Sequence, residues 1–341
     1  MKIKCFAVLL ILSLSVGSSA KNKVAQSGMT YLGISMGARE TAMGDASTAS
    51  THGIQGLWHN PAVLTEIQTF EFVFNQVDWF IDSKLYGTAL AFNAGKLGTF
   101  ALDVTYMDFG DIMGTRRVDK SVDLRGFQLT GNIGVEDWAI GFAYARSFSD
   151  KFSMGIKIKR LHENLGMARY VTSEFEDAET GTKTRTYNEK EWQINDWGLD
   201  FGTLYHVGWN SLTIGMSMQN FSRDMKYWYE EFSTPMVLRM GASMDVLDFW
   251  PSLSRETDLI IAVDALHPND HTERVHIGSE LVLFHRFALR AGYKFNHSVE
   301  SLTAGVGLVF DYSGLQGILN YAYGTAEYFD SINRLTFSFS F

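Results

Sequence analysis

The stretch LTFSFSF at residues 335–341 alternates large apolar side chains with small polar ones. Successive side chains of a β-strand point to opposite faces, so one face of this strand is wholly apolar and the other is polar. The stretches FSMGIKIK (152–159) and LTIGMSMQ (212–219) repeat the pattern. The polar face of the first includes two lysines and that of the second includes glutamine, which indicates strands that separate an apolar environment from a polar one.

From about residue 68 onward, such blocks recur at the length of tilted membrane strands. The pattern predicts an all-β fold, a closed antiparallel transmembrane β-barrel of about 14 strands, an even number as in bacterial single-chain barrels. The strands are expected at 68–80, 84–94, 97–109, 135–148, 151–164, 191–207, 210–221, 235–248, 256–266, 272–284, 286–296, 300–312, 314–325 and 331–341. Residues 121–134 could supply another strand, but we assign them to a loop because short and long connections then alternate.

The composition fits a barrel and argues against several other classes of protein. The chain is 46% hydrophobic and 14% aromatic, with 31 glycines and 4 prolines, as expected where lipid-facing and lumen-facing residues alternate. A large secreted β-sandwich would have a similar composition, so a soluble secreted protein stays open as an alternative. The net charge of −9 argues against nucleic acid as a partner. We expect no catalytic residues and no cofactor.

The first residues predict export. Lys2 and Lys4 precede an apolar run at 6–16 that ends in small residues, which is the layout of a signal peptide cleaved after Ala20. The expected organisation is therefore a signal peptide (1–20), an N-terminal plug or hatch segment (21–67) and the transmembrane β-barrel (68–341). The expected location is the bacterial outer membrane, with membrane lipid as one partner.

The N-terminal segment is rich in Gly, Ala, Ser and Thr and lacks sustained alternation. Its glycines allow the close backbone approach that a segment inside a narrow barrel requires. We favour a static plug, with a hatch that gates a hydrophobic ligand through Met36, Met43 and Leu57 as the alternative. Charged side chains on the inner face could form a charged pore, but we favour their pairing around the plug, since unpaired charge in a confined interior is costly. These are Lys157, Lys159, Asp200, Asp264, Glu280, Arg286, Arg290 and Lys294.

Two motifs of this segment, GARETAMGDA (37–46) and GLWHNPA (56–62), resemble the signature of the PorV/PorQ family of outer-membrane proteins. That family has a barrel similar to the FadL transporters of hydrophobic compounds. The stretch 263–283 adds a turn motif that resembles the PorV-type branch. The candidate plug or hatch residues are Gly37, Ala38, Arg39, Met43, Gly44, Trp58, Asn60, Pro61 and Ala62, and those of the turn motif are His267, Pro268, Asn269 and Asp270.

The resemblance implies a FadL-like barrel with a role in type IX secretion. In that role the protein would bind secreted cargo proteins or attachment-complex subunits at the cell surface. The alternative hypothesis is a FadL-like transporter that passes hydrophobic small molecules across the outer membrane.

Three further features have competing interpretations. The loop SRDMKYWYEEFST (222–234) combines charged residues with aromatic ones, a mixture typical of binding surfaces. It could equally pack on the barrel rim.

We interpret 165–190 as a solvated loop. His267 and His271 could suggest a metal pair, but no third ligand is suitably spaced, so we expect no metal and interpret them as flanking a turn. The candidate binding residues of the 222–234 loop are Tyr227, Trp228, Tyr229 and Phe232.

Overall fold

Fourteen antiparallel strands close into a barrel in which the first strand pairs with the last. The structure, a computed structural model, describes residues 27–176, 183–250, 256–312, 314–327 and 329–341. The predicted signal peptide and its cleavage point lie outside these residues. The strands are β1 (Phe70–Asp78), β2 (Lys84–Asn93), β3 (Thr99–Asp108), β4 (Met113–Arg117), β5 (Phe127–Asn132), β6 (Glu136–Ser149), β7 (Phe152–Glu176), β8 (Lys183–His206), β9 (Thr213–Phe221), β10 (Met225–Lys226), β11 (Glu231–Phe232), β12 (Val237–Asp245), β13 (Thr257–Pro268), β14 (Arg274–Leu283), β15 (Phe287–Phe295), β16 (Glu300–Tyr312), β17 (Leu315–Ala326) and β18 (Ile332–Ser340). All but β4, β5, β10 and β11 belong to the barrel, which confirms the predicted fold and strand number.

The polarity of the barrel is the reverse of that of a water-soluble protein. On β18, the apolar side chains of Leu335 and Phe337 are 42% and 37% exposed, whereas those of Arg334 and Thr336 are 1% and 0% exposed. The same alternation continues around the barrel, with apolar side chains outside and polar ones inside. A continuous apolar outer surface of this extent requires lipid rather than water around it. Among the described residues, no helix is long and apolar enough to cross a membrane.

The connections differ in length between the two ends of the barrel. One end has tight turns such as 150–151 and 284–286 and is called the turn end here. The opposite end has longer connections, such as 109–135 and 222–236, and is called the loop end. In bacterial barrels the longer loops face the cell exterior, which orients the loop end outward.

The interpretation of 165–190 as a solvated loop is wrong for most of its length. β7 and β8 continue beyond the barrel wall as a paired two-stranded hairpin that reaches Glu176 and resumes at Lys183. Two cross-strand ion pairs join this extension, Arg169 to Glu189 at 2.6 Å and Arg185 to Glu174 at 2.7 Å. The loop at 110–134 also contains paired strands, β4 and β5, but they form a separate sheet and add no strand to the barrel.

The N-terminal segment crosses the interior of the barrel. Its described part, residues 27–67, contains one short α-helix, α1 (Ala38–Ala42), and turns of 3₁₀ helix at Thr30–Gly33, Gly53–Trp58 and Pro61–Glu66. Its polar groups bond to inward-facing groups on strands from all sides. The Ala38 N–H donates to Thr336 Oγ1 on β18, at 2.8 Å, and Trp58 Nε1 donates to Thr105 Oγ1 on β3, at 3.1 Å.

Candidate functional site

The N-terminal segment lies directly against the barrel wall at Gly44. Its φ of 65° is in the left-handed region that favours glycine. A Cβ atom on Gly44 would lie 2.8 Å from the backbone nitrogen of Tyr293, and one on Gly292 would lie 2.0 Å from the backbone nitrogen of Gly44. Both positions therefore require glycine, and together they let the segment lie directly against β15.

Arg39 anchors the segment to β14. Its Nε and Nη2 donate to the two carboxylate oxygens of Glu280, at 3.1 and 2.5 Å, in the bidentate geometry that favours arginine. Arg290 on β15 donates to the same carboxylate at 2.6 Å. All three side chains are buried. Two guanidinium groups thus share one carboxylate at the contact between segment and wall.

A second network holds Asp45 of the segment. Lys294 contacts Asp45 and also bonds to Glu300, at 2.7 Å, which in turn accepts from Arg334 at 2.7 Å. Burial by itself would raise the pKa of the Asp45 carboxyl, but the Lys294 ammonium and the hydrogen bond with His59 together hold that pKa well below its usual range. Asp45 is therefore ionised and paired inside the barrel.

A third contact is made by Asp264 on β13, which is fully buried. Its Oδ2 accepts from the Ser47 N–H at 3.0 Å, from the Thr48 N–H at 2.9 Å and from the Thr48 hydroxyl at 2.6 Å. A single carboxylate oxygen thus fixes the turn of the segment that follows α1.

The expectation that inner charges pair is met at most positions. Lys159 lies 2.8 Å from Asp200, and Lys157 lies 3.5 and 3.6 Å from Asp103 and Asp200. Asp264 is one exception, since it is bonded to Ser47 and Thr48 and forms no ion pair among the described residues. Arg286 is the other. It lies in the tight turn at 284–286 and is exposed, because the β14–β15 hairpin reverses there rather than continuing as a strand.

The remaining motif residues of the segment also lie in the lumen. Ala38, Met43 and Ala62 are fully buried. Asn60 Nδ2 donates to the carbonyl oxygens of Thr48 and Thr203, at 2.8 and 3.0 Å, and its Oδ1 accepts from the Ala62 N–H at the start of the 3₁₀ turn Pro61–Glu66. Gly37, with a φ of 91°, precedes α1. The structure therefore places the nine motif residues in the layer that crosses the lumen, with α1 against β15–β18 and the turn at 61–66 against β3 and β6–β8, while their role remains a prediction.

Two cavities lie on either side of this layer. The loop-end cavity has a volume of about 290 Å³ and borders Leu32, Met36 and His59 of the segment, together with His297 from a loop-end connection. The turn-end cavity has a volume of about 350 Å³ and borders Arg39, Gln55 and the turn residue Arg286. Segment residues line both cavities, so the segment separates them.

The turn motif at 267–270 is hydrogen-bonded to two nearby segments of the same chain. β13 ends at Pro268, and Asn269 Nδ2 then donates to Ser233 Oγ and to the Thr234 carbonyl oxygen, at 3.0 and 3.1 Å. Asp270 accepts from Ser27 Oγ at 3.0 Å. His267 lies 3.4 Å from Glu273 at the surface. Among the described residues, no three His, Cys, Asp or Glu side chains are grouped to hold a metal ion.

The aromatic residues of the 222–234 loop mostly pack on the rim. The Tyr227 hydroxyl donates to Glu163 on β7 at 2.9 Å, and its ring stacks on Phe232. Burial and the negative charge of Glu163 raise the pKa of the Tyr227 phenol. The Trp228 ring lies 5.0 Å from Tyr170 on the projecting hairpin, whereas Tyr229 is 83% exposed.

Three lumen residues were not singled out from the sequence. Arg239 on β12 and Arg274 and His276 on β14 line the loop-end cavity. The Nε and Nη1 atoms of Arg239, the Nε of Arg274 and both ring nitrogens of His276 are buried, without a hydrogen-bond partner among the described residues. Arg239 has the inward parity of its strand, the alternation that identified Lys157, and a search of every strand for inward cations could have found it.

Solved structures with a similar fold include monoaromatic hydrocarbon channels. The monoaromatic hydrocarbon channel CymD matches with a TM-score of 0.54 and 13% identity, over 92% of this chain and 99% of that chain. A FadL homologue of Pseudomonas aeruginosa matches with a TM-score of 0.53 and 8% identity, over 90% and 98%. The toluene transporter TodX of Pseudomonas putida matches with a TM-score of 0.55 and 13% identity, over 88% and 96%. This chain shares their barrel fold. No family model and no curated protein matches it.

Proposed function

We propose that the protein is an outer-membrane channel that passes hydrophobic small molecules through its lumen. The observation that carries the proposal is the series of two cavities with the N-terminal segment between them. Concave sites with apolar walls and a few polar groups are typical of small-molecule binding. The similar structures are described as channels or transporters, and not as enzymes, which supports the same conclusion.

In this proposal the N-terminal segment is the movable barrier. A molecule enters the loop-end cavity, contacts Leu32, Ile34 and Met36, and passes toward the turn-end cavity when the segment shifts. The anchors at Asp45 and Asp264 limit that shift, so the barrier stays closed at rest.

Uptake of a labelled monoaromatic hydrocarbon such as toluene, by cells or proteoliposomes containing the full-length barrel, tests the proposal. Val237 lines the loop-end cavity, whereas its neighbour Leu238 points to lipid and is 38% exposed. Val237→Trp should obstruct the cavity and reduce uptake severalfold, while Leu238→Trp should leave it unchanged. Equal uptake with both variants, or no uptake above that of empty membranes, would reject the channel.

Binding of a secreted protein at the loop end is a second candidate function. It is supported by exposed apolar side chains on the projecting β7–β8 hairpin, where Met167 is 64% exposed and Phe175 is 69% exposed. Replacing both by serine should abolish co-purification of exported proteins without affecting toluene uptake. Unchanged co-purification, or none with the natural chain, would remove this candidate.

A further inference from the structure

The loop-end cavity has an unusual wall on β12, β13 and β14. Arg239 and Arg274 are both opposite Leu266 of the middle strand, so the three residues lie side by side at one height. Neighbouring strands are about 4.8 Å apart, and two long arginine side chains can therefore converge over Leu266. His276 lies two residues below Arg274 on the same face.

Several hydrogen-bond donors of this wall are unused. Buried donor atoms of Arg239 and Arg274 have no partner among the described residues, and neither has the imidazole of His276, which is 2% exposed. Buried donors without partners are rare in folded proteins, and each one requires an explanation. A bound ligand that accepts hydrogen bonds from these donors would explain them.

The nearby acidic residues do not satisfy these donors. Asp264 is opposite His276, but its Oδ2 is engaged by Ser47 and Thr48, and its Oδ1 has no hydrogen-bond partner among the described residues. Asp270 accepts from Ser27 and contacts His271 at 2.7 Å. Lys294, which also lines the cavity, is already paired with Asp45 and Glu300. The two arginines and His276 are thus left to bind something in the cavity.

Apolar side chains flank this wall, although the rest of the cavity lining also includes charged residues. Leu266 lies between the two arginines, and Val237 and Pro268 flank it on β12 and β13, with Leu32 and Ile34 contributed by the N-terminal segment. A bare inorganic anion would leave these surfaces uncovered. The cavity of about 290 Å³ is at the lower end of the range typical of small-molecule sites, so the ligand must be compact.

We infer that the loop-end cavity binds a compact organic carboxylate with an apolar body, its carboxylate held by Arg239, Arg274 and His276. Arginine matches a carboxylate bidentately, and the apolar body covers Leu266 and Leu32. The inference rests on the proposed function, because it names the class of molecule that this lumen receives.

Binding of 2-naphthoate to the purified full-length barrel in detergent, followed by its fluorescence, tests the inference. Each of Arg239→Gln and Arg274→Gln should weaken binding by about tenfold or more, as expected for loss of a charge-assisted hydrogen bond. Arg116→Gln is the control, since Arg116 lies on β4 outside the barrel and is exposed. Among the described residues, neither cavity arginine forms a hydrogen bond or a close ion pair that the substitution would break, so neither variant should lower the urea midpoint of unfolding by much.

Two competitors define the ligand class. Neutral naphthalene should bind the natural chain and the arginine variants within about twofold of each other, and inorganic phosphate should displace 2-naphthoate poorly. Unchanged 2-naphthoate affinity in both variants would overturn the inference, and so would phosphate that competes as well as an organic carboxylate.

The outcomes separate this inference from the channel itself. Toluene uptake by the natural chain without 2-naphthoate binding would overturn the anion site and leave the channel standing. Binding of 2-naphthoate that depends on both arginines, without any hydrocarbon uptake, would support the site and reject the channel.

Discussion

Replacing Asp264 by alanine should release the N-terminal segment from β13. The Asp264 carboxylate is fully buried and accepts three hydrogen bonds from Ser47 and Thr48, two from backbone N–H groups and one from a hydroxyl. A hydrogen bond to a charged group contributes about 1.5–3 kcal/mol, so three of them set an upper bound of roughly 5–9 kcal/mol. Removing the carboxylate also removes its desolvation cost of several kcal/mol. We therefore expect a net loss of about 2–4 kcal/mol in the free energy that holds the segment.

Protease cleavage of the segment in the folded barrel measures this loss. When opening is faster than cleavage, the rate follows the population of the opened state, and a loss of 2–4 kcal/mol corresponds to a rise of roughly 30- to 1,000-fold. Asp264→Asn keeps an oxygen acceptor at the same place and should raise the rate by far less. An unchanged cleavage rate in Asp264→Ala, with the barrel folded, would refute the assignment of this carboxylate as an anchor.

Two further substitutions test the other contacts. Lys157→Met removes a buried cation that Asp103 and Asp200 share. It should lower the free energy of unfolding, measured in urea, by about 3–5 kcal/mol. A loss below about 1 kcal/mol would contradict the pairing. Tyr227→Phe removes the hydroxyl that donates to Glu163. It should lower the free energy of unfolding by about 1–2 kcal/mol and increase proteolysis of the 222–236 connection. An unchanged proteolysis rate would contradict rim packing of that loop.

The barrel strands could be predicted because their two faces meet different environments. Membrane lipid requires large apolar side chains on one face, and the packed lumen accepts Gly, Ser, Thr and charged residues on the other. β18 shows this at every position from Leu335 to Ser338. Strand length, number and the short turns follow from the same alternation.

The β7–β8 extension could not be predicted in this way. Beyond Leu165 both faces of the hairpin meet water. Charged residues therefore occur on both faces, and apolar and polar residues no longer alternate. Its pairing depends on cross-strand contacts such as Arg169 with Glu189, which become visible only when the register is known.

The presence of paired charges in the lumen could be predicted, but not which residues pair with each other. Charged side chains on the inner faces were expected to pair around the N-terminal segment, and Lys157 and Lys159 do pair in the lumen. The bond between Arg39 and Glu280 joins residues 241 positions apart, and no local pattern encodes such a distance. Arg286 was predicted to face the lumen for a different, local reason: a shift of one or two residues in a strand end decides whether a side chain faces the lumen or the solvent.

The most direct test of the whole account is a cysteine scan of β18. Single cysteines at Leu335, Thr336, Phe337 and Ser338 would carry nitroxide labels in barrels reconstituted into bilayers, with Cys5 replaced or absent, and their accessibility to a lipid-soluble relaxation agent would be measured. Labels at 335 and 337 should be accessible from lipid, and labels at 336 and 338 should be protected, since those side chains face the packed lumen. Uniform accessibility along the strand, or the opposite alternation, would contradict a lipid-embedded barrel filled by its own N-terminal segment.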